Sequence, residues 1–244
     1  MKLVLVQKII QIKIFQNKNE QVDRYKGLIF TKSHLVHDFY ENHIPFELTN
    51  SQKNVIKEIY SDLKSGYQMN RLMQGDVGSG KTITSFVCML IAISSGYQST
   101  IMAPTEILAI QHYHGLSEFC DQIGLEVRLI TGSTRKKLRR EYLEDLASGK
   151  VHILVGTHAL IENDVQFKNL GLAVIDEQHR FGVAQRAKLW QKNKRAYPHV
   201  LVMTATPIPR TLAMTLYGDL EISTINELPK GRKLVVELMM PQTN

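Results

Sequence analysis

The sequence predicts an α/β fold in which a parallel sheet is covered on both faces by helices. Three observations lead to this prediction. A glycine-rich turn at residues 74–82 lies between a short apolar run and a helical pattern. Further apolar runs then alternate with segments of helical length, which is typical of parallel sheets. Polar residues or glycine follow each run, as expected at the carboxyl edge of such a sheet. The later strands are predicted at residues 100–103, 127–130, 152–155, 172–175 and 200–203.

Two helices are predicted before the glycine-rich turn. The first covers residues 33–41 and ends before Pro45, because proline disfavours the helical conformation in the residue that precedes it. The second begins at Thr49, which has the capping-box spacing with Gln52. Gln52 has a second interpretation, in which it binds the edge of an adenine with Phe46 stacked alongside, and spacing does not separate the two. Residues 1–30 are apolar and basic, and we favour a helix there over a strand.

Composition sets wide limits on function. The 244 residues allow one large domain or one domain with an appendage, and 43% hydrophobic with 22% charged residues is ordinary for a soluble globular protein. Lys2, Lys8 and Lys13 interrupt the apolar N-terminus, so no membrane span is predicted. A net charge of +7 suits a polyanionic partner but is also common in proteins that do not bind one. Cys88 and Cys120 both lie in helical patterns, which argues against disulfides and favours the reducing cytoplasm.

The segment GDVGSGKT has the spacing of a P-loop, G-x-x-x-x-G-K-T. Its glycines allow successive N–H groups to turn inward around phosphate oxygens, and the helix that starts near Lys81 adds its positive end. Lys81 would reach the terminal phosphates, and the hydroxyl of Thr82 would hold Mg²⁺. The predicted nucleotide-binding residues are Phe46, Gln52, Gly75, Asp76, Val77, Gly78, Ser79, Gly80, Lys81 and Thr82. The helix is expected to bury one face, made of Ile83, Phe86, Val87, Leu90 and Ile91.

Two acids, Asp176 and Glu177, directly follow the apolar run at residues 172–175. A buried strand that ends in two carboxylates is costly without cations nearby, so these acids and the P-loop support each other. Asp176 is predicted to share Mg²⁺ with Thr82, which requires both residues to lie at one edge of the sheet, and Glu177 is predicted to orient the attacking water. Gln178 and His179 are further catalytic candidates, although a single histidine near a strand end is more often a packing or surface residue.

Residues 133–146, STRKKLRREYLEDL, contain a run of basic side chains that could contact a phosphate backbone. The pairs Lys137 with Glu141 and Arg140 with Glu144 are spaced four residues apart, which is typical of a solvated helix face. We favour this surface interpretation, since charge runs usually lie in solvent. The later segment TATPIPR opens another predicted helix and suits a link between the nucleotide site and a second site.

The motifs GDVGSGKT, MAPTEILAIQH, VGTHALI, VIDEQHRFG and MTATPIPRTLA occur in this order. Together they resemble the first RecA-like lobe of superfamily-two DNA motors, and most closely the RecG-type DNA helicases. The resemblance extends from about residue 35 to 232 and includes LTNSQ and YGDLEISTINELPKGR. It implies a RecA-like P-loop fold, ATP and Mg²⁺ as cofactors, and branched double-stranded DNA such as stalled forks and Holliday junctions as the substrate, in recombination and repair.

The resemblance also implies roles for individual residues. Gln52 would lie at the base, Gly78, Gly80, Lys81 and Thr82 at phosphates and Mg²⁺, and Asp176 and Glu177 at the hydrolytic centre. Thr204 and Thr206 would couple hydrolysis to movement. The residues implied at the DNA backbone are Pro104, Thr105, Gly132, Ser133, Gly156, Thr157 and His158.

The resemblance divides the chain into a helical N-terminal segment at residues 1–32, an ATP-binding lobe at 33–232 and the start of a linker at 233–244. The wedge domain and second RecA-like lobe of this family are expected partners that the sequence does not contain. Because the second lobe supplies arginines to the ATP site, we expect this chain alone to bind nucleotide weakly and hydrolyse it slowly. A non-enzymatic remnant that binds nucleotide or DNA is the alternative, whereas a transporter or kinase ATPase lacks its expected motifs.

Overall fold

The computed structural model describes residues 25–176, 188–189, 191–193, 196–206 and 220–229. The predictions for residues 1–24, 177–187, 207–219 and 230–244 fall outside this part of the chain. The described helices are α1 (His34–Asp38), which continues as a π-helical turn (Phe39–His43), α2 (Asn50–Lys64), α3 (Lys81–Ser94), α4 (Glu106–Gln122) and α5 (Lys136–Ser148), with a short 3₁₀ helix at His158–Ile161. The strands are β1 (Asn70–Gly75), β2 (Gln98–Met102), β3 (Val127–Ile130), β4 (Ile153–Gly156), β5 (Leu170–Asp176), β6 (His199–Thr204) and β7 (Glu221–Ile225).

The seven described strands form one sheet in the order β3-β4-β2-β5-β6-β1-β7, and every neighbouring pair is parallel. Side chains of alternate residues enter two separate hydrophobic clusters, one on each face. Helices α1 to α4 cover one face, and α5 with the 3₁₀ helix covers the other. The predicted parallel sheet with helices on both faces is therefore confirmed.

The predicted strands appear within two residues of their expected ends, but β7 was not predicted. β7 lies at the edge of the sheet and pairs only with β1 among the described strands. Its sequence, EISTI, buries only Ser223 and Ile225 and leaves Glu221 and Thr224 exposed. An edge strand with so little buried surface lacks the continuous apolar run by which central parallel strands are found.

The five residues of the predicted face of α3 are buried, and so are all the other residues from Ile83 to Ser94, so the helix is buried on every side. Its outer side is covered by α1 and α2. Phe39 packs edge-on against Phe86 with 5.2 Å between the ring centroids. A helix that is apolar all round belongs in a core. Burial also raises the pKa of the Cys88 thiol to about 12, which leaves it an unreactive packing residue. The P-loop is thus attached to a rigid element.

No helix in the described ranges is long and apolar enough to cross a bilayer. Both cysteines are buried and carry free thiols.

His199, at the start of β6, joins the sheet to the segment before α1. Its Nδ1 accepts a hydrogen bond from the Met69 N–H at 2.9 Å, and its Nε2 donates to the Leu28 carbonyl at 2.8 Å. The neutral ring satisfies both partners, whereas a second ring proton would face the Met69 N–H. Burial lowers the pKa of His199 from 6.5 to about 4, although the Leu28 hydrogen bond opposes this shift.

We expect acid to destabilise the fold through His199. Because the folded-state pKa is lowered, its contribution is fully present above about pH 6.5 and is lost as the pH falls towards 4. At about 1.4 kcal/mol per pKa unit, the loss approaches about 3 kcal/mol. Urea unfolding at pH 7.0, 5.5 and 4.5 measures it. His199→Asn removes the titrating ring and should be less stable at pH 7.0 with a shallower pH dependence. Equal pH dependence in both proteins would contradict this assignment.

Candidate functional site

The glycine-rich turn connects the end of β1 to the start of α3. Gly78 and Gly80 have φ values of 82° and 86°, in the left-handed region that favours glycine. The Lys81 side chain folds back over the turn, where its Nζ donates to the carbonyls of Gly75 at 2.6 Å and Asp76 at 2.9 Å. The ammonium group therefore lies over the turn that the sequence predicts to bind phosphate.

Gln52 fixes the turn from α2. The side-chain Oε1 accepts from the Thr49 N–H at 2.8 Å, and the Gln52 N–H donates to Thr49 Oγ1 at 3.2 Å, so the predicted capping box is confirmed. Its Nε2 donates to the Ser79 carbonyl at 2.9 Å, a contact that sequence reasoning missed. A Cβ on Gly80 would lie 2.1 Å from this nitrogen, so glycine is required there for a second reason. Phe46, three residues before Thr49, is exposed. Its stacking on a base stays a prediction.

Asp176 ends β5 at the same edge of the sheet as the glycine-rich turn. It lies opposite Met203 of β6, which in turn lies opposite Met73 of β1. Two inter-strand steps separate Asp176 from the strand that leads into the turn, a distance of about 10 Å. Thr82, at the start of α3, is therefore on the same side of the molecule as Asp176, as the predicted shared cation requires. Glu177, Gln178 and His179 lie outside the described residues.

His112 of α4 contacts Asp176 and was not predicted. The distance between His112 Nε2 and Asp176 Oδ2 is 2.7 Å, and the two side chains are only 10% and 12% exposed. One signal was present in the sequence. His112 lies seven residues after Thr105, two helical turns along the same face of a helix that starts at the carboxyl edge.

The residues implied at the DNA backbone follow three neighbouring strands, β2, β4 and β3. Pro104 and Thr105 follow β2, and the Thr105 side chain caps α4 by accepting from the Leu108 N–H at 3.3 Å. Glu106 holds the loop after β3, since its carboxylate accepts from the N–H and hydroxyl of Ser133 at 3.2 and 3.0 Å.

The loop after β4 completes this group. Gly156 is needed because a Cβ there would lie 2.2 Å from the Ile130 carbonyl of β3. Thr157 is buried, and its hydroxyl has no hydrogen-bond partner among the described residues. His158 beside it is exposed. Gly132 and Ser133 are exposed on the adjacent loop, so the three loops form one continuous surface.

Thr204 and Thr206 lie between the glycine-rich turn after β1 and the loops implied at the DNA backbone, which follow β2, β4 and β3. Thr204 ends β6 opposite Gln74 of β1, next to the glycine-rich turn. The two threonine hydroxyls are 3.0 Å apart, and the Thr206 N–H donates to Thr204 Oγ1 at 3.2 Å. The segment at residues 207–210, which was predicted to continue from them, is outside the described part.

Two of the five basic residues of the run form ion pairs, whereas the predicted pair of Lys137 with Glu141 is not formed. Arg140 and Glu144 are 3.6 Å apart and exposed, as their spacing predicted. Arg139 instead reaches across to Glu162 at 2.7 Å and Asp164 at 3.0 Å. These contacts favour the surface interpretation of α5 over phosphate binding.

The residues present fit a nucleotide with Mg²⁺. The Thr82 hydroxyl and Asp176 Oδ1 make no hydrogen bond within the described ranges, and the buried Ser79 Oγ likewise has no partner there. No group of three His, Cys, Asp or Glu side chains that could hold a metal occurs among the described residues. A hydroxyl and one carboxylate are what Mg²⁺ takes from a protein when phosphates and water supply its other ligands.

The family model for DEAD/DEAH box helicases matches residues 49–215, which is more than half of the chain. The chain belongs to the DEAD/DEAH box helicase family. This helicase-family chain is 55% identical to the ATP-dependent DNA helicase RecG of Aquifex aeolicus over 193 residues, or 79% of the chain and 24% of that protein. It is 51% identical to RecG of Synechocystis over 224 residues, or 92% of the chain and 27% of that protein.

A solved structure described as RecG bound to a three-way DNA junction matches with a TM-score of 0.75 and 40% identity, over 92% of this chain and 29% of that one. The yeast DEAD-box splicing factor Prp28, at 21% identity and a TM-score of 0.58, shares the fold over 84% of the chain and 50% of its own. This helicase-family chain therefore spans about a quarter of the length of the two curated relatives. The comparisons confirm the predicted family resemblance and the RecA-like fold.

Proposed function

We propose that this chain is the ATP-binding lobe of an ATP-dependent DNA helicase or translocase of RecG type, which acts on branched double-stranded DNA in recombination and repair. One observation carries the proposal. The P-loop, Asp176 and the three loops after β2, β3 and β4 lie along one edge of a single parallel sheet. That arrangement allows one rigid body to bind a nucleotide and a phosphate backbone side by side. The similarity to RecG supports the choice of substrate.

At the nucleotide, Lys81 would exchange the carbonyls of Gly75 and Asp76 for phosphate oxygens. Thr82 and Asp176 would hold Mg²⁺, which neutralises charge on the phosphates when it is bound. Glu177 directly follows Asp176, and we propose that it orients the attacking water, with Gln178 and His179 as further catalytic candidates.

At the base, Gln52 and Phe46 are proposed to bind adenine. Both ends of the Gln52 amide hold backbone groups in this structure, so its Nε2 would exchange the Ser79 carbonyl for the base.

On the DNA side, the proposed contacts are Pro104, Thr105, Gly132, Ser133, Gly156, Thr157 and His158. The start of α4 at Thr105 directs N–H groups towards the surface, which favours an anion there. Contacts to phosphates position a duplex but do not read its sequence, as suits an enzyme that moves along DNA. Thr204 and Thr206, beside β1, are proposed to couple the two sites. The wedge domain and a second RecA-like lobe are proposed partners.

Fluorescence anisotropy with labelled forked and linear DNA tests the DNA surface. We expect the chain to bind both, more tightly to the fork, with an affinity that falls as salt is added, because a chain of net charge +7 releases counterions when it binds DNA.

Two variants separate the proposed surface from the basic run. At a fixed salt concentration, Thr105→Ala with His158→Ala should weaken DNA binding. Arg140→Gln, which removes a charge from α5, should leave the affinity at that salt concentration unchanged. If the Arg140 variant alone lost binding, the basic run would be the DNA site and the loop assignment would be wrong.

A further inference from the structure

The hydrogen bond between His112 and Asp176 joins two elements that the proposed function treats separately. We propose that His112 is a positioning residue, which fixes one oxygen of Asp176 so that the other faces the divalent cation of the nucleotide. The inference rests on the proposed nucleotide site and goes beyond it, because it assigns a metal-orienting role to a residue in the helix that follows β2.

The two oxygens of Asp176 have different surroundings. Oδ2 lies 2.7 Å from His112 Nε2, whereas Oδ1 has no hydrogen-bond partner in the described part of the chain. Both side chains are about nine-tenths buried, so water competes little for the contact. A carboxylate held at one oxygen cannot rotate freely about its Cβ–Cγ bond. The ring therefore leaves a single oxygen in a defined direction at the carboxyl edge.

The ring is itself held in place by the packing of α4. Ala109 and Leu116 lie three residues before and four residues after His112, on the same face of the helix, and both are buried in the core. The backbone that carries His112 is therefore fixed on the sheet, and its side chain is only 10% exposed. The same helix begins at Thr105, a proposed DNA contact. The orientation of Asp176 is consequently tied to the placement of α4 on the sheet.

A purely structural role makes different predictions. If His112 served only to satisfy a buried carboxylate, its loss would lower stability and leave the effect of Mg²⁺ on nucleotide binding unchanged. If the His112 ring competed with the cation for Asp176, removing the ring would strengthen the effect of Mg²⁺ on nucleotide binding. Positioning predicts the opposite, since groups that orient metal ligands typically contribute 10- to 100-fold to metal affinity.

The test compares the affinity for a fluorescent ATP analogue in EDTA and across a Mg²⁺ titration, with thermal unfolding of each variant. His112→Ala should need about tenfold more Mg²⁺ to reach half of its effect, with affinity in EDTA close to that of the unaltered chain. His112→Gln, which keeps an N–H donor of similar reach, should restore most of the effect. His114→Ala is the matched control, since His114 is exposed on the same helix and should behave as the unaltered chain.

Three results would overturn the inference. These are an unchanged or increased Mg²⁺ response in His112→Ala, a glutamine variant as impaired as the alanine variant, and an equal defect in His114→Ala. Should His112→Ala fail to fold, His112→Leu fills the space without a donor and carries the same expectations. Failure of the proposed function gives a separate result, in which Lys81→Ala binds the analogue as tightly as the unaltered chain.

Discussion

Replacement of Lys81 by alanine is expected to weaken binding of Mg²⁺-ATP by about 10- to 100-fold, the effect of losing charge-assisted hydrogen bonds worth about 1.5–3 kcal/mol. In this structure the ammonium group donates to two carbonyls of the glycine-rich turn, the segment that is proposed to hold the phosphates. The helix that carries it is fixed by burial along its length rather than by this side chain. Titration calorimetry should therefore show lost affinity with an unchanged circular dichroism spectrum.

Lys136→Ala is the matched control for this experiment. Lys136 is also the first residue of a helix, α5, and is exposed, so the variant removes the same charge from an equivalent position. Its nucleotide affinity should stay within twofold of the unaltered chain. If Lys81→Ala and Lys136→Ala bind nucleotide equally well, the pocket is not where the glycine-rich turn places it.

Arg71→Met is expected to destabilise the fold by about 3 kcal/mol, at the lower end of the cost of breaking a buried ion pair. The Arg71 side chain is 6% exposed and joins three elements. Its Nε donates to Asp62 of α2 at 2.8 Å, and its terminal nitrogens donate to Ser223 at 2.8 Å and Glu221 at 3.2 Å, both in β7. Burial raises the pKa of Asp62 even with the arginine present, so its removal would leave a carboxylate poorly solvated. The other acidic partners of Arg71, Glu58 and Glu221, are more exposed and can regain water, which limits the loss of stability.

Urea unfolding at pH 7 measures this loss, and Arg140→Met provides the comparison. Arg140 pairs with Glu144 at 3.6 Å, and both side chains are exposed to solvent. Exposed pairs contribute about 0–1 kcal/mol to the free energy of unfolding. Equal midpoints for the two variants would show that Arg71 has no special role. A smaller m-value in Arg71→Met would indicate that β7 alone detaches, since less surface would then unfold in the main transition.

The features that the sequence predicted correctly are those in which the interacting residues lie close together along the chain. The capping box depends on Thr49 and Gln52, three residues apart, and the Arg140 pair depends on one helical turn. The central strands were found because burial on both faces demands continuous apolar runs. β7 was missed because an edge strand carries no such run, and the all-round burial of α3 was missed because it depends on α1, which covers it from outside.

In the candidate site, too, the local features were predicted from the sequence and the long-range contacts were not. The glycine-rich turn was readable because its conformation is local, and Asp176 because it ends a strand. The contacts that hold these residues in place were not readable. Gln52 and Ser79 are 27 residues apart, His112 and Asp176 are 64 apart, and Arg71 and Ser223 are 152 apart.

By itself, the sequence determined the parallel α/β architecture, the helicase-like motifs and the edge of the sheet at which they gather. Those properties follow from periodicity, from backbone freedom at glycine and from the rule that ligands bind beyond the carboxyl ends of parallel strands. Only the tertiary structure decided that a histidine from α4 holds the carboxylate at the end of β5, and that an arginine in β1 joins α2 to the edge strand. The side chains that position a site come from distant segments, and no local pattern records which of them will meet.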